Sequence, residues 1–275
     1  MFHKEINGSQ IHYLDVGQGP VLLFGHAFLW DSLMLAPQLE KLSAEYRCIV
    51  PDLWAHGKSG HLPQTTNTLT DMARDMLGLM DALNIDKFGI IGVSISAMWA
   101  AELAILVPKR IKTLILMGAV IGISSEQLHM FYSNMVDMAL SEGKVPSGLV
   151  DVMGDVLLAK KNASSMPKLI NYYTENLQKI EKEMLADILQ MCRMQYERRD
   201  ILDELSKLTS VPILIVVGNQ DLTSLGDPSR IDAMQAALPQ SCLERIENAG
   251  QVLTLEQPEK VTQIIENFLV KSNFS

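Results

Sequence analysis

The chain of 275 residues has few cysteines and fewer basic than acidic residues. Its cysteines, Cys48, Cys192 and Cys242, are far apart and lack the Cys-x-x-Cys spacing of metal sites and redox pairs. We therefore expect three buried free thiols in a protein of the reducing cytoplasm. With 23 lysines and arginines against 32 acidic residues, the net charge is −9, which is unsuited to neutralising phosphates. We expect no nucleic acid partner.

Long hydrophobic runs are absent as well. The longest apolar stretch, residues 114–123, is interrupted by Gly118 and Gly122 and is shorter than the roughly 18 residues that a membrane-spanning helix requires. The first residues lack the basic start and apolar core of a secretory signal peptide. The sequence also has no phosphate-binding glycine loop, no cluster of metal ligands and no flavin or nicotinamide fingerprint. We therefore expect neither a membrane span nor a cofactor.

Short apolar runs alternate with longer helical patterns in a chain whose 48% hydrophobic and 20% charged residues are typical of globular proteins. The runs are rich in Val, Ile, Leu and Phe and are bounded by Gly or Pro, as expected for strands buried on both faces. They occupy residues 21–26, 46–52, 88–94, 111–118, 212–218 and 242–247. This alternation predicts an α/β fold with a doubly wound, mostly parallel sheet.

Apolar residues at three- and four-residue steps predict helices between these runs. In the clearest pattern the apolar residues are Leu69, Met72, Met76, Leu79 and Leu83. Thr68 and Asp71 are suited to start this helix. Further helices are predicted near residues 228–238 and after Leu255.

The strand signal disappears between residues 120 and 205, where amphipathic helical patterns follow one another. We interpret residues 120–205 as a helical cap inserted into an α/β core of residues 1–119 and 206–275. The cap supplies eight methionines, whose flexible side chains suit either a broad apolar pocket or simple core packing. Their positions are Met130, Met135, Met138, Met153, Met166, Met184, Met191 and Met194.

A serine motif lies directly between the strand at 88–94 and a helical pattern at 97–106. It reads Gly92-Val93-Ser94-Ile95-Ser96, and a serine in such a strand-to-helix turn is typical of a nucleophile elbow. Small residues are needed two positions before and after the serine because larger side chains would crowd the strained backbone. The alternative is that Ser94 caps the N-terminus of the helix, a role for which serine is well suited.

On this motif the chain resembles the α/β-hydrolase superfamily, and in particular small capped esterases and enol-lactonases. The resemblance implies that the segment Phe24-Gly25-His26-Ala27-Phe28, after the first buried strand, contains the oxyanion loop, with the backbone N–H groups of Phe28 and Ile95 facing the developing oxyanion. Ala27 replaces the family glycine, which restricts the backbone of this loop. We expect His26 to be a structural hydrogen-bonding residue.

Two further motifs match the family pattern. Residues 52–59, Asp-Leu-Trp-Ala-His-Gly-Lys-Ser, resemble a structural turn of the family, with Ala55 replacing a glycine. The segment Gly218-Asn219-Gln220-Asp221 follows a predicted strand and resembles the turn that carries the triad carboxylate. Asp221 is therefore the candidate acid, the alternative being an ordinary turn aspartate.

The third triad position departs from the family. The segment Asn248-Ala249-Gly250-Gln251 precedes Glu256-Gln257-Pro258 and resembles the loop in which the family has its catalytic histidine, so Gln251 occupies the histidine position. No shift in alignment supplies one, because every histidine precedes Asp221: His3, His12, His26, His56, His61 and His129. A glutamine amide does not titrate near neutral pH and cannot accept and return the serine proton. We expect activity to be low or absent.

Three explanations of Gln251 remain open: an introduced substitution, a natural loss that leaves a non-catalytic binder or receptor, or a substitute base. His129 in the cap is the candidate for the last. The family chemistry is attack by Ser94 on an ester or related carbonyl, and the substrate is expected to be a small apolar ester-like molecule. Lactonases, carbon–carbon bond hydrolases and cofactor-free haloperoxidases share these residues, whereas a dehalogenase would carry a carboxylate at the elbow. A homodimer formed through the cap is also left open.

Overall fold

An eight-stranded sheet runs through the part of the chain that the computed structural model describes, residues 2–123, 126–145, 156–178, 180, 182–222 and 228–274. Its strands are Phe2–Ile6 (β1), Ser9–Val16 (β2), Val21–Gly25 (β3), Arg47–Pro51 (β4), Phe88–Val93 (β5), Ile111–Met117 (β6), Ile213–Gly218 (β7) and Ser241–Ile246 (β8). Their order is β1-β2-β4-β3-β5-β6-β7-β8. β2 runs antiparallel to β1 and β4, and the other neighbouring pairs are parallel. The predicted mostly parallel sheet is confirmed.

Helices follow most strands of the sheet. They are Ala36–Leu42 (α1), Leu69–Ala82 (α2), Ile95–Leu106 (α3), Glu126–Glu142 (α4), Lys160–Ser165 (α5), Pro167–Gln178 (α6), Leu185–Tyr196 (α7), Leu202–Leu205 (α8), Ser229–Ala237 (α9), Leu253–Glu256 (α10) and Pro258–Lys271 (α11). Short 3₁₀ helices cover Ser32–Leu35 and Lys182–Met184.

Both faces of the sheet are buried, which explains why its central strands are continuous apolar runs. Successive strand residues point to opposite faces, so that Ile90 packs in the cluster beneath α2 and α3, whereas Ile91 packs in the cluster beneath α1 and α11. This two-sided burial requires helices on both faces and gives the doubly wound architecture.

The start of α2 has the predicted chemistry. The Thr68 hydroxyl accepts a hydrogen bond from the Asp71 N–H at 3.1 Å, and the Asp71 carboxylate accepts one from the Thr68 N–H at 3.1 Å. This reciprocal capping box satisfies two N–H groups that the helix itself leaves unpaired.

The antiparallel hairpin of β1 and β2 was not among the predicted strands. Its turn is Asn7-Gly8, with positive φ values of 49° and 80°. Such a pair is the characteristic signal of a two-residue hairpin turn, because few other residues tolerate this conformation. That signal, rather than an apolar run, identifies the hairpin.

Five described helices, α4 to α8, lie between β6 and β7, and we call residues 120–205 the helical insert. α4 and α7 pack against each other through Val136, Ala139, Leu189, Cys192 and Tyr196, among others. The methionines of the helical insert differ in burial. Met191 and Met194 are buried, whereas Met130 and Met138 are exposed. Met153 lies outside the described residues.

The prediction of three buried thiols is wrong for one of them. Cys48 and Cys192 are buried, and their burial raises the pKa of each thiol to about 12. Cys242 is only half-buried because it lies on β8, at the edge of the sheet. All three are free thiols.

Among the described helices, none combines the length and the apolar character that crossing a membrane would require.

Candidate active site

Ser94 lies at the junction between β5 and α3, in a strained backbone conformation. Its φ is 56° and its ψ is −120°, in a region that L-residues rarely adopt. The Ser94 N–H donates to the Met117 carbonyl oxygen at 2.8 Å, which fixes the turn against the end of β6. The serine stands at the N-cap position of α3, but its side chain makes no capping hydrogen bond. The alternative of a helix-capping serine therefore lacks the bond that would define it.

The residues on either side of Ser94 fit tightly. A Cβ atom at Gly92 would lie 2.4 Å from the Ser96 carbonyl oxygen, so this position requires glycine. At the other side, the Ser96 hydroxyl donates to the His26 carbonyl oxygen at 2.6 Å and accepts from the Trp99 indole N–H at 3.0 Å. The serine found where the family has glycine thus connects the elbow to the loop that follows β3.

The two predicted oxyanion donors come from the start of α3 and from the loop after β3. Ile95 is the first residue of α3. The first N–H groups of a helix have no partner within the helix and carry partial positive charge, which suits them to an anion. Phe28 is half-buried, packs against all three apolar clusters and places its ring 5.5 Å from the His56 ring.

His26 has the structural role that the sequence predicts. Its Nδ1 donates to the Ala27 carbonyl oxygen at 2.8 Å, and its Nε2 accepts from the Leu53 N–H at 2.8 Å. Burial lowers the pKa of the ring, which keeps it neutral in this arrangement. Both ring nitrogens are therefore occupied in holding the loop.

His56 supports the same loop, and sequence reasoning missed it. The Leu29 N–H donates to His56 Nε2 at 3.0 Å, while His56 Nδ1 donates to the Trp54 carbonyl oxygen at 2.7 Å. Burial lowers the pKa of His56 to about 3. Leu29 has a φ of 65°, so the strain of this loop falls on Leu29 rather than on Ala27.

The turn after β4 is built around the Asp52 carboxylate. This group accepts hydrogen bonds from His12 Nδ1 at 2.7 Å, the Ser32 N–H at 2.8 Å and the Lys58 N–H at 3.0 Å. Burial by itself would raise the pKa of this carboxyl, but the backbone N–H donors of Lys58 and Ser32 lower it below its usual value. These bonds agree with the structural role predicted for residues 52–59.

Asp221 is buried in the turn that follows β7. Its N–H donates to the Gly218 carbonyl oxygen at 3.3 Å, and the Gln220 N–H donates to the Ala249 carbonyl oxygen at 2.9 Å. A Cβ atom at Gly218 would lie 2.3 Å from that same Ala249 oxygen, so the two loops meet backbone to backbone. The fold thus brings the Asp221 turn against the loop that carries Gln251.

Gln251 is buried, with 3% of its surface exposed. Its side-chain Nε2 donates to the Gly118 carbonyl oxygen at 2.8 Å. Gly118 directly follows Met117, whose carbonyl oxygen accepts the Ser94 N–H. The glutamine amide therefore lies beside the end of β6, against which the serine elbow is also held.

The candidate substitute base, His129, is exposed on α4. Its ring contacts the Tyr196 ring edge-on, with 4.9 Å between the ring centroids. A substitute-base role for His129 stays a prediction.

Aromatic residues of the helical insert face the oxyanion loop. Tyr132 stacks on Tyr196 with 6.0 Å between ring centroids and belongs to the same apolar cluster as Phe28. Burial raises the pKa of Tyr132, and the neighbouring Cys192 and Asp221 raise it further.

A cleft of about 510 Å³ opens between the core and the helical insert on another side of the oxyanion loop. Its lining includes Trp30, Asp31, Lys58, Asn176 and Ile188, and none of the three candidate triad residues. The described residues contain no cluster of His, Cys, Asp or Glu side chains able to hold a metal ion.

The doubly wound sheet, with a strained serine between β5 and α3, agrees with the comparisons to known proteins. Residues 20–258 match the family described as alpha/beta hydrolase fold. The chain belongs to this family.

Its relatives include esterases and enol-lactonases. The 3-oxoadipate enol-lactonase 1 of Acinetobacter baylyi is 27% identical over 271 residues, covering 96% of this chain and 91% of that protein. A thermophilic esterase from Thermogutta terrifontis has a structure that superposes with a TM-score of 0.88 at 28% identity, covering 99% of both chains. The enol-lactonase from Burkholderia xenovorans LB400 shares the fold, with a TM-score of 0.85 at 21% identity over 98% of this chain and 99% of that chain.

Proposed function

We propose that this chain is an esterase-like serine hydrolase whose nucleophile is Ser94 and whose turnover is suppressed because Gln251 stands at the histidine position. The observation that carries the proposal is the Ser94 backbone, held at a φ of 56° with a side chain that does not cap α3. Such strain persists only where the surrounding structure enforces it, and it concentrates at functional sites.

The proposed chemistry is attack of the Ser94 oxygen on an ester carbonyl, followed by hydrolysis of the acyl-enzyme. The N–H groups of Phe28 and Ile95 would stabilise the oxyanion, and each such donor is worth about 3 kcal/mol of barrier. Asp221 would orient a histidine at position 251, which this chain lacks. Gln251 keeps a hydrogen-bonding side chain at that position but offers no group that takes the serine proton, so the attack step is slow.

The proposed substrate is a small apolar ester or lactone. The Acinetobacter baylyi relative is named for an enol-lactone and the Thermogutta terrifontis relative is an esterase. Phe28, Tyr132 and Tyr196 give the neighbourhood of the site an apolar, aromatic character. A cytoplasmic location and a homodimer stay predictions.

Replacement of Gln251 by histidine tests the proposal. Loss of the catalytic histidine costs about 2 × 10⁶ in kcat in the serine protease subtilisin. We expect Gln251→His to raise hydrolysis of p-nitrophenyl acetate by at least about 10³-fold. Gln251→Asn is the matched control and should stay slow, and Ser94→Ala added to Gln251→His should abolish the gain. Ordinary esterase rates in the unaltered chain, or no gain with histidine, would overturn the proposal.

A non-catalytic binder is the second candidate, and the setting of Gln251 favours it. The amide is buried and hydrogen-bonded to the Gly118 carbonyl oxygen, so the loop accommodates glutamine without leaving this donor unpaired. On this account, p-nitrophenyl acetate raises the thermal unfolding temperature without release of p-nitrophenol, and Gln251→His confers no turnover. Turnover of p-nitrophenyl acetate by Gln251→His therefore separates the two candidates.

A further inference from the structure

The helical insert meets the Gln251 loop through a direct backbone contact. The Leu157 carbonyl oxygen accepts hydrogen bonds from the Gln251 N–H at 2.9 Å and the Val252 N–H at 3.4 Å. A Cβ atom at Gly250 would lie 2.7 Å from the Ala159 nitrogen and 2.8 Å from the Leu157 oxygen. Residues 157–162 of the insert and residues 248–252 are therefore in contact along their main chains.

The buried carboxylate of Glu256 joins these two segments. Its Oε1 accepts from the Gly250 N–H at 2.8 Å, and its Oε2 accepts from the Ala159 N–H and from Asn162 Nδ2, both at 2.8 Å. Asn162 Nδ2 also donates to the Asn248 carbonyl oxygen at 2.8 Å. Only 3% of Glu256 is exposed, so water does not replace these bonds.

A carboxylate suits this site. The three groups of the described residues that hydrogen-bond to Glu256 are N–H donors, and a carboxylate has two acceptor oxygens and no donor. A glutamine would turn an NH₂ group toward at least one of these donors, and a buried donor without a partner is unfavourable. Burial of the charge is tolerated because it is fully hydrogen-bonded.

We propose that Glu256 is a positioning residue that locks residues 157–162 to residues 248–252, so that the position of Gln251 depends on the position of the helical insert. A ligand that displaces the insert would then displace residue 251, whether the chain catalyses or only binds. The lock itself does not rest on the proposed function.

Hydrogen exchange measured by mass spectrometry on the full chain tests the lock. Glu256→Gln should raise exchange of both segments together by at least about tenfold, because one segment loses its acceptor and the other keeps only a hydrogen bond to a neutral amide oxygen, so the two segments are no longer joined. α3 and β5 should be unchanged. Exchange that rises in one segment only, or in neither, would overturn the proposal.

Glu102→Gln is the matched control. Glu102 is also a buried carboxylate and also joins the core to the insert, through bonds from Arg199 of 2.9 and 2.7 Å, but it lies on α3. This control should leave both segments unchanged, and an equal effect would mean that any loosening of the insert suffices. Should Glu256→Gln fail to fold, Asn162→Ala removes one arm of the lock and should increase exchange in the same two segments to a smaller extent.

A kinetic measurement in the Gln251→His background rests on the proposed function. There, adding Glu256→Gln should lower kcat for p-nitrophenyl acetate by at least about tenfold with KM changed less than about twofold, because residue 251 loses its position while the substrate contacts remain. Glu256→Asp should recover part of that loss. A change in KM with kcat unaltered would contradict the positioning role. Absence of activity in Gln251→His would refute the proposed function while the exchange result still decides on the lock.

Discussion

At the scale of single residues, the two alanines that replace family glycines differ in backbone conformation. Ala55 has a φ of 58°, in the left-handed region, whereas Ala27 lies outside that region. A left-handed conformation costs an L-residue roughly 1–2 kcal/mol, a cost that glycine does not carry. The chain therefore carries strain at Ala55 and none of this kind at Ala27.

Ala55→Gly should raise the free energy of unfolding by about 0.5–1 kcal/mol, because relief of strain exceeds the entropy that glycine adds to the unfolded state. Ala27→Gly is the matched control and should lower it by about 0.5–1 kcal/mol, since no strain is relieved there. Urea unfolding followed by tryptophan fluorescence measures both. Equal changes in the two variants would contradict the assignment of strain to Ala55.

His56 predicts a pH dependence of stability. Its pKa falls from 6.5 to about 3 on folding because of burial. Between these values the unfolded chain binds a proton that the folded chain does not, so this stability is present above pH 6.5 and is lost as the pH falls toward 3.

His56→Gln tests this dependence, because an amide can accept from the Leu29 N–H and donate to the Trp54 carbonyl oxygen without titrating. The slope of unfolding free energy between pH 6 and 4 should fall by one proton, about 1.4 kcal/mol per pH unit. Urea unfolding at a series of pH values gives the slope. Identical slopes in the two proteins would show that His56 is not the titrating group.

At the scale of elements, the capping box makes α2 the helix whose start is most clearly explained by its sequence. Thr68→Ala removes the acceptor for the Asp71 N–H and should lower the free energy of unfolding by about 1 kcal/mol. Thr70→Ala, the same substitution within the helix, is the control and should have no destabilising effect, since alanine favours helices. Thermal unfolding distinguishes them, and equal losses would contradict the capping role.

The sequence predicts elements well where one physical cause dominates. The parallel strands are buried on both faces and appear as apolar runs, whereas in β2 the polar residues Gln10, His12 and Asp15 interrupt the apolar ones. A search for apolar runs misses such a strand, although Asn7-Gly8 marks its turn.

The sequence predicts those candidate site residues that lie shortly after the end of a strand. Ser94 follows β5 and Asp221 follows β7 by three residues, and both are found from local motifs. The supporting bonds from His56 to Leu29 and from Glu256 to Ala159 join segments that are distant along the chain. No local pattern encodes such contacts, so they emerge only from the fold.

At the scale of the whole molecule, polar contacts hold the helical insert on the core from several sides. Tyr172 donates to the Asp31 carboxylate at 2.6 Å, and His61 lies 2.7 Å from the Asp187 carboxylate. The His61 pair is largely exposed and contributes little stability, whereas the Glu256 contacts are buried. The insert is therefore held by buried polar contacts beside Gln251.

The central claim is that the Ser94 hydroxyl lacks a group able to remove its proton. Labelling with a fluorophosphonate, followed by mass spectrometry of the intact chain, tests this directly because phosphonylation requires an activated serine. The account predicts slow labelling of the unaltered chain, rapid one-to-one labelling at Ser94 in Gln251→His, and no labelling when Ser94→Ala is added. Stoichiometric labelling of the unaltered chain within seconds would contradict it.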